Sequence, residues 1–472
     1  MINTNQKIRG QVIAAVIATG LMSFCGVIVE TAMNITFPTL MREFGVTTST
    51  VQWLTTGYLL TVAIIVPLSS TLKKRFKMKS LFITANLLFI LGLILDAVAP
   101  IFPVLLLGRI IQGCGTGIAL PLMFNIIIDQ VPQQKLGLMM GIGTLITAVA
   151  PAIGPTFGGV VVASLGWRFI FIILLPILII SFFMGIKTIE QKSTIQAVKV
   201  DGLSVLLIFV TFIGLILGFS QMGGHPFMSL SVGGAMLIGL IGLVGLVYRS
   251  LRISQPVIDI RVLKNSSFSG HVVAFFILQV ASLGLSFILP NYMQLVNGST
   301  STIAGLVVLP GAAIGAAMSP ISGRLLDNLG AKKPIFTGVF IVLIGLALFT
   351  LLALNMGNLA ILVIYVIYMI GIGLIFGNIM TNSLSVLNAA QQTDGNAILN
   401  TLQQFAGAMG TSIVSAIIAM SQLSGHGSLA RLTAIGSRNA LLVLTLLVIV
   451  AIGMLIYAVN LGEKQKVNRS KR

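Results

Sequence analysis

Apolar stretches of about 18 residues or more recur from one end of this chain to the other, and each is long enough to cross a ~30 Å hydrocarbon core. They predict fourteen membrane-spanning helices, at 12–38, 51–71, 80–99, 103–127, 137–163, 168–187, 202–221, 228–248, 267–294, 301–323, 333–354, 358–387, 396–421 and 439–460. The fold class follows: an all-α polytopic membrane protein. Only 8% of residues are charged, against about 25% in ordinary soluble domains. With 56% hydrophobic residues and a mean hydropathy of +1.06, no sizeable water-soluble domain can be accommodated. The longest interruptions, near 188–201, 249–266 and 422–438, are too short to form a domain that does chemistry.

The net charge of +18 would suggest nucleic acid in a soluble protein, but its distribution has another cause. With the amino terminus inside, Arg42, Arg168, Arg431 and Arg438 fall in outer loops and Arg109 within a helix. The rest of the 28 Lys and Arg residues collect on the cytoplasmic side. That asymmetry is the positive-inside pattern and puts both termini in the cytoplasm. It excludes nucleic acid as a partner. Cys25 and Cys114 fall inside predicted helices as small apolar packing residues, and His225, His271 and His426 show no metal-ligand spacing. No cleavage site follows the first apolar stretch, so helix 1 is expected to be retained. No GxxxxGK[ST] phosphate loop occurs. The expectation is a protein without metal or cofactor, driven by an ion or substrate gradient, in the plasma membrane of a bacterium and monomeric.

One residue breaks the apolar pattern where a break is most costly. The chain has ten Asp and Glu residues, and all but one can be assigned to loops, the tail or about a turn from a helix end. Glu30 is the exception, inside helix 1. An ionisable group in a bilayer marks a functional site by default. Glu30 is either the proton or cation site of a transporter or a carboxyl that ties helices together. Arg109 lies inside helix 4 and needs acceptors there, either a carboxylate or backbone carbonyls. Counted from the outer helix ends at 1.5 Å per residue, Arg109 lies about 9 Å deep and Glu30 about 12 Å, so a pair or water-linked relay is possible.

Several short motifs stand around these residues. Helix 1 reads Glu30-Thr31-Ala32-Met33-Asn34-Ile35-Thr36-Phe37-Pro38, with Glu30 and Asn34 on one face. Helix 4 carries Arg109-Ile110-Ile111-Gln112-Gly113. Helix 5 carries Gly154-Pro155-Thr156-Phe157-Gly158-Gly159, a stretch able to bend and to let a neighbour approach closely. Helix 6 opens Trp167-Arg168-Phe169-Ile170-Phe171. A basic turn follows helix 2 at Leu72–Lys79, and another, Gly323–Lys333, follows helix 10 with Gly323, Asp327 and Gly330. Asp327 can cap the next helix. The eight-helix offset suggests two six-helix halves, 1–200 and 251–472, separated by two inserted helices in 201–250.

These motifs resemble those of the major facilitator superfamily, and within it the fourteen-helix drug:proton antiporters. The resemblance covers essentially the whole chain. Gly154, Pro155, Gly158 and Gly159 are similar to the antiporter signature, and Arg109 to Gly113 are similar to the RxxQG element. The Gly323–Lys333 turn matches the GxLxDxxGxxK loop. The first-half copy of that loop departs sharply, with Ser70, Lys74 and Lys77 where Gly, Asp and Gly belong. Asp129 at the end of helix 4 either pairs with one of those lysines or faces a solvated positive loop. On helix 1 the family's acidic position holds Val29, so the acid is displaced by one residue to Glu30.

The resemblance implies a secondary active transporter exporting lipophilic or cationic drugs in exchange for protons by alternating access. Glu30 and Arg109 would couple the proton, with Asp129, Gly323, Asp327 and Gly330 in conformational roles. Gln112, Gln279, Asn291, Asn378, Asn382, Asn400 and Gln403, with Asn34, are candidates for pocket lining or for interhelical hydrogen bonds. A lipid or glycolipid flippase or a solute importer on the same scaffold is the alternative. An enzyme would need paired acids, a Ser/His arrangement or a metal cluster in the bilayer, and a pore would need a ring of charges. Neither pattern is visible in the sequence.

Overall fold

Backbone N–H and C=O groups in lipid must be satisfied within their own segment, which helices alone achieve for an unpaired span. The computed structural model describes residues 8–46, 48–51, 53–192, 194–195, 201–222, 227–254, 256–424 and 427–470. Fourteen long helices run through them: α1 Gly10–Phe44, α2 Trp53–Arg75, α3 Met78–Val98, α4 Phe102–Gln130, α5 Leu136–Ser164, α6 Arg168–Thr188 and α7 Gly202–Gln221. The second set is α8 Ala235–Arg252, α9 Ser266–Leu295, α10 Ser301–Leu329, α11 Lys332–Leu352, α12 Asn358–Ser385, α13 Ala389–Ser424 and α14 Leu429–Ser470. Among the described residues, thirteen helices are long and apolar enough to cross a membrane, and α5 is the fourteenth long helix.

Several helices outrun the apolar runs that predict them. Helix α1 continues to Phe44, α10 to Leu329, α13 begins at Ala389, and α14 spans Leu429–Ser470. Apolar length marks only the part that crosses lipid, while the i→i−4 ladder carries on into polar surroundings. Asp394 lies in the second turn of α13, near its start. Asp327 lies in the last turn of α10, and the N-cap of α11 is Ala331, whose own side chain makes no hydrogen bond. Gly330 ends α10 with φ +77, where a Cβ would be strained.

The chain divides into two compact units, Met1–Val200 and Asp201–Arg472. In the first, α1 packs on α4, α5 and α6, α3 on α4 and α6, and α2 on α4. Buried Ser181 of α6 donates to the Ala18 carbonyl (2.8 Å) and accepts from Asn86 of α3 (3.1 Å), tying three helices together. At the outer end, Trp167 Nε1 and Arg168 Nη1 both donate to Glu43 at 2.7 Å, and Arg168 Nη2 donates to the Ala99 carbonyl. The Trp167-Arg168 motif is thus a clasp joining α1, α3 and α6.

In the second unit, α12 packs on α10 and α11, and α9 packs on α13 and α14. Helices α7 and α8 pair so closely that a Cβ on Gly214 would come within 2.4 Å of the Gly239 nitrogen. Their base is fixed by Asp201, which caps α7 and takes two hydrogen bonds from Arg249 (2.9 and 3.0 Å). The hairpin leans on α13, where Phe212 and Phe219 meet Phe405 edge-on.

Candidate functional site

Arg109 is fully buried in α4, and its guanidinium must find acceptors without water. Its Nε donates to the Leu54 carbonyl (3.3 Å) and its Nη1 to Gln112 Oε1 (2.7 Å). Tyr58 of α2 lies face-on to it, ring centroid 4.2 Å from Cζ, a cation–π contact in a dry setting. Gln112 stands one helical turn along, which is why an Arg-x-x-Gln spacing can close this bond. Its amide passes the interaction on, Nε2 donating to Asp96 Oδ2 of α3 at 2.6 Å.

Asp96 is as buried as Arg109. Close approach of α3 to α4 makes room for it. A Cβ on Gly108 would fall 2.0 Å from Asp96 Oδ1, and one on Gly92 would fall 2.5 Å from Gln112 Cγ. The Tyr58 hydroxyl bridges the Gly26 carbonyl of α1 and the Thr116 hydroxyl of α4, each at 2.9 Å. Gly26 lies one turn before Glu30, so the same bridge holds α1 at the height of the cluster.

Glu30 is half-buried on α1. It is in Coulombic reach of Arg109 and Tyr58, yet among the described residues no ion pair within 4.0 Å joins it to Arg109. Of the partners open to Arg109 in the sequence, a backbone carbonyl is one it meets, together with the Gln112 amide and the Tyr58 ring. Helix α5 packs on this stretch of α1 through two motif glycines. A Cβ on Gly154 would meet Thr31 Oγ1 at 1.8 Å, and one on Gly158 would meet the Ala32 carbonyl oxygen at 2.8 Å. Gly159 has open space at that position. The side chains of Asn34 and Pro155 lie outside the described residues.

The cytoplasmic end of the same unit holds Lys73 against Asp129 at 2.8 Å, with Lys73 itself buried. In the second unit the candidate polar residues are neutral. Asn378 donates to Ser322 Oγ (2.6 Å) of α10, and Asn382 Nδ2 contacts His271 Nε2 (2.9 Å) of α9. Asn400 bonds Asn396, and Asn291 bonds the Phe287 carbonyl of its own helix. Gln279 is buried in α9, and Gln403 is half-buried in α13. Gly323 is buried in α10, with Asp327 half-buried in its last turn. Among the described residues no cluster of His, Cys, Asp and Glu could hold a metal ion.

Sequence reasoning kept Asp96 only as a reserve candidate for coupling, without placing it beside Arg109, and passed over Tyr58 and Thr116. Asp96 sits close to a helix end, where an acid is unremarkable, and only the crossing of α3 over α4 brings it to Gln112. The glycines Gly92 and Gly108 are the signal in the sequence for that crossing.

Thirteen helices among the described residues that are long and apolar enough to cross a membrane, with a buried acid–guanidinium cluster within the first unit, are the features of a multi-pass membrane transporter. Residues 19–411 match the sequence model of the Major Facilitator Superfamily, and the chain belongs to that family. It therefore moves small molecules across a membrane, and its bacterial relatives assign it to the bacterial plasma membrane. It is 39% identical over 414 residues to the lincomycin resistance protein LmrB of Bacillus subtilis, covering 87% of this chain and 86% of that one. The LmrB of Listeria innocua is 37% identical over 418 residues, 88% of each chain. The crystal structure of the human organic anion transporter TETRAN superposes with a TM-score of 0.65 at 12% identity, over 93% of this chain and 100% of that one, which supports the fold alone.

Proposed function

We propose that the protein exports lipophilic or cationic compounds, antibiotics among them, in exchange for protons by alternating access. Glu30 is the coupling carboxyl and Arg109 its counter-charge. The observation that carries this reading is an acid half-buried in a membrane helix, with no ion pair to the nearby buried guanidinium, against which α5 is seated by Gly154 and Gly158. A carboxyl that only tied helices together would be hydrogen-bonded across them. Glu30 is instead left able to exchange a proton for a substrate. Resistance to lincomycin in the names of the relatives supports a drug as cargo.

The test is efflux of lincomycin and of ethidium from energised membranes, comparing wild type with Glu30→Gln at matched expression. The proposal expects pH-gradient-driven efflux to disappear while the protein remains folded. Unchanged efflux would remove Glu30 from coupling. Efflux of neither compound by wild type would favour the flippase or importer reading.

A further inference from the structure

Two carboxylates, not one, surround Arg109. Glu30 of α1 acts on the guanidinium through space, and Asp96 of α3 reaches it through Gln112. Gln112 is itself fully buried, so its amide has no water to turn to. Two atoms of this chain of contacts are buried without a hydrogen-bond partner among the described residues: Arg109 Nη2 and Asp96 Oδ1. An unmade hydrogen bond of a buried polar group costs about 1–3 kcal/mol, and more when the group is charged. Such a pair of open valences, one on the cation and one on the acid, leaves both groups able to take a further partner.

Charge counting gives the rest. With both acids ionised the buried set of Arg109, Glu30 and Asp96 carries one net negative charge, and with one proton added it is neutral. Net charge is what a low-dielectric interior opposes most. Other charged groups do not alter that count. On α6, Arg168 reaches the Ala99 carbonyl just beyond Asp96 but is engaged by Glu43. Among the described residues, the titratable group that α2 brings to the cluster is Tyr58 and the one that α4 brings is Arg109. The neutral set has two sites for its proton. Oδ1 of Asp96 receives no hydrogen bond that a proton would displace. The Gly92 carbonyl, one turn back on α3, borders the same spot: a Cβ on Gly108 would lie 3.0 Å from it. It is the kind of i−4 acceptor that side-chain hydroxyls use in helices.

We infer that Asp96 is a second proton-binding residue of this site, which holds one proton shared between Glu30 and Asp96, with Gln112 linking Arg109 to the charge on Asp96. The inference rests on the proposed coupling role of Glu30. The chemistry is an exchange with water: one carboxyl's O–H bond breaks as its proton leaves, the other forms as a proton arrives, and the set stays neutral.

The experiment uses the full chain in proteoliposomes and reads the pH profile of substrate-driven transport for wild type, Glu30→Gln and Asp96→Asn. With Asp96 made permanently neutral, Arg109 serves Glu30 alone, and more acid is needed to protonate it. The profile of Asp96→Asn should move toward acid by about one pH unit, tenfold in proton concentration. A purely structural Asp96 would scale the rate at every pH and leave the midpoint in place, which overturns the inference. Retained coupling in Glu30→Gln overturns the proposed function instead, whatever Asp96→Asn does. If Asp96→Asn does not fold, the wild-type protein labelled with ¹³C at Asp carboxyls decides the question. Its substrate-induced infrared difference spectrum should contain a protonated-carboxyl band displaced by the label. A band carried by unlabelled Glu alone places the proton on Glu30 and overturns the inference.

Discussion

The two units bury polar groups of different kinds. In Met1–Val200 the membrane-embedded set is charged, with Arg109 and Asp96 fully buried and Glu30 half-buried beside them. In Asp201–Arg472 the corresponding buried groups include Asn378, Asn382, Asn400 and Ser322, amides and a hydroxyl hydrogen-bonded to neighbouring helices or their own, with the His271 ring against Asn382. The buried acid there among the described residues is Asp394, near the start of α13. A neutral amide network can fix helix packing and offer hydrogen bonds to cargo, but it cannot take up a proton cheaply. A set with one cation and two acids can. On the proposed function, the first unit supplies the coupling and the second supplies packing and recognition.

The largest expected effect removes the cation that keeps the charged set together. Arg109→Gln leaves Glu30 and Asp96 without a counter-charge, and breaking a buried charge network costs about 3–5 kcal/mol. It should lower the thermal unfolding temperature strongly in lipid and abolish transport. Asn378→Ala, which removes one neutral partner of Ser322, should cost only about 1 kcal/mol and spare pH-gradient dependence. Equal losses from the two substitutions would erase the contrast between the units.

A second pair compares glycine contacts. A Cβ on Gly158 meets backbone of α1 at Ala32, beside Glu30, and a Cβ on Gly373 meets the Gly315 carbonyl oxygen at 2.3 Å, between α12 and α10. Alanine at either place overpacks a helix crossing and should destabilise by about 1–3 kcal/mol. Only Gly158→Ala displaces the coupling helix, so it alone should change the proton drive of efflux. Gly159→Ala, with open space around it, should do neither. Identical transport phenotypes for Gly158→Ala and Gly373→Ala would show that the α1–α5 contact has no special relation to coupling.

Much of this arrangement was legible in the sequence, and the limits have physical causes. Helix number and topology followed from apolar length and from the distribution of lysine and arginine, because lipid thickness and membrane orientation act directly on composition. Glu30 and Arg109 stood out because charge is rare inside a bilayer. A pairing of Asp129 with a lysine of the basic turn after helix 2 was one of two open readings, and the lysine it meets is Lys73, beside the Lys74 singled out there. What could not be read was which acid Arg109 would reach. That depends on side-chain direction and on how closely α3 crosses α4, and those rest on Gly92 and Gly108 rather than on any polar pattern. Helix ends were misplaced for a related reason: hydropathy gives where a helix leaves lipid, not where it stops, so Asp327 falls in the last turn of α10.

The smallest expected effect sharpens the comparison by removing burial from it. Each unit has a partly exposed clasp outside the apolar segments: Glu43 with Trp167 and Arg168 in the first, Asp201 with Arg249 in the second. Partial burial pushes Glu43 up, but the hydrogen bonds from Trp167 and Arg168 outweigh it and hold the carboxyl below its usual range. The Arg249 and Ser204 hydrogen bonds hold Asp201 well below its own. A carboxyl whose folded value is depressed contributes stability that is complete above its unfolded value, near pH 4, and lost as pH falls through the lower folded value. Thermal unfolding of Glu43→Gln and Asp201→Asn should therefore differ from wild type at neutral pH, by no more than about a degree or two for pairs this exposed. The difference should shrink as the solution is acidified below about pH 4. Similar small, acid-sensitive effects in both units would tie the contrast between them to burial of charge. A large effect from Glu43→Gln alone would mean that charge in the first unit matters even at its surface.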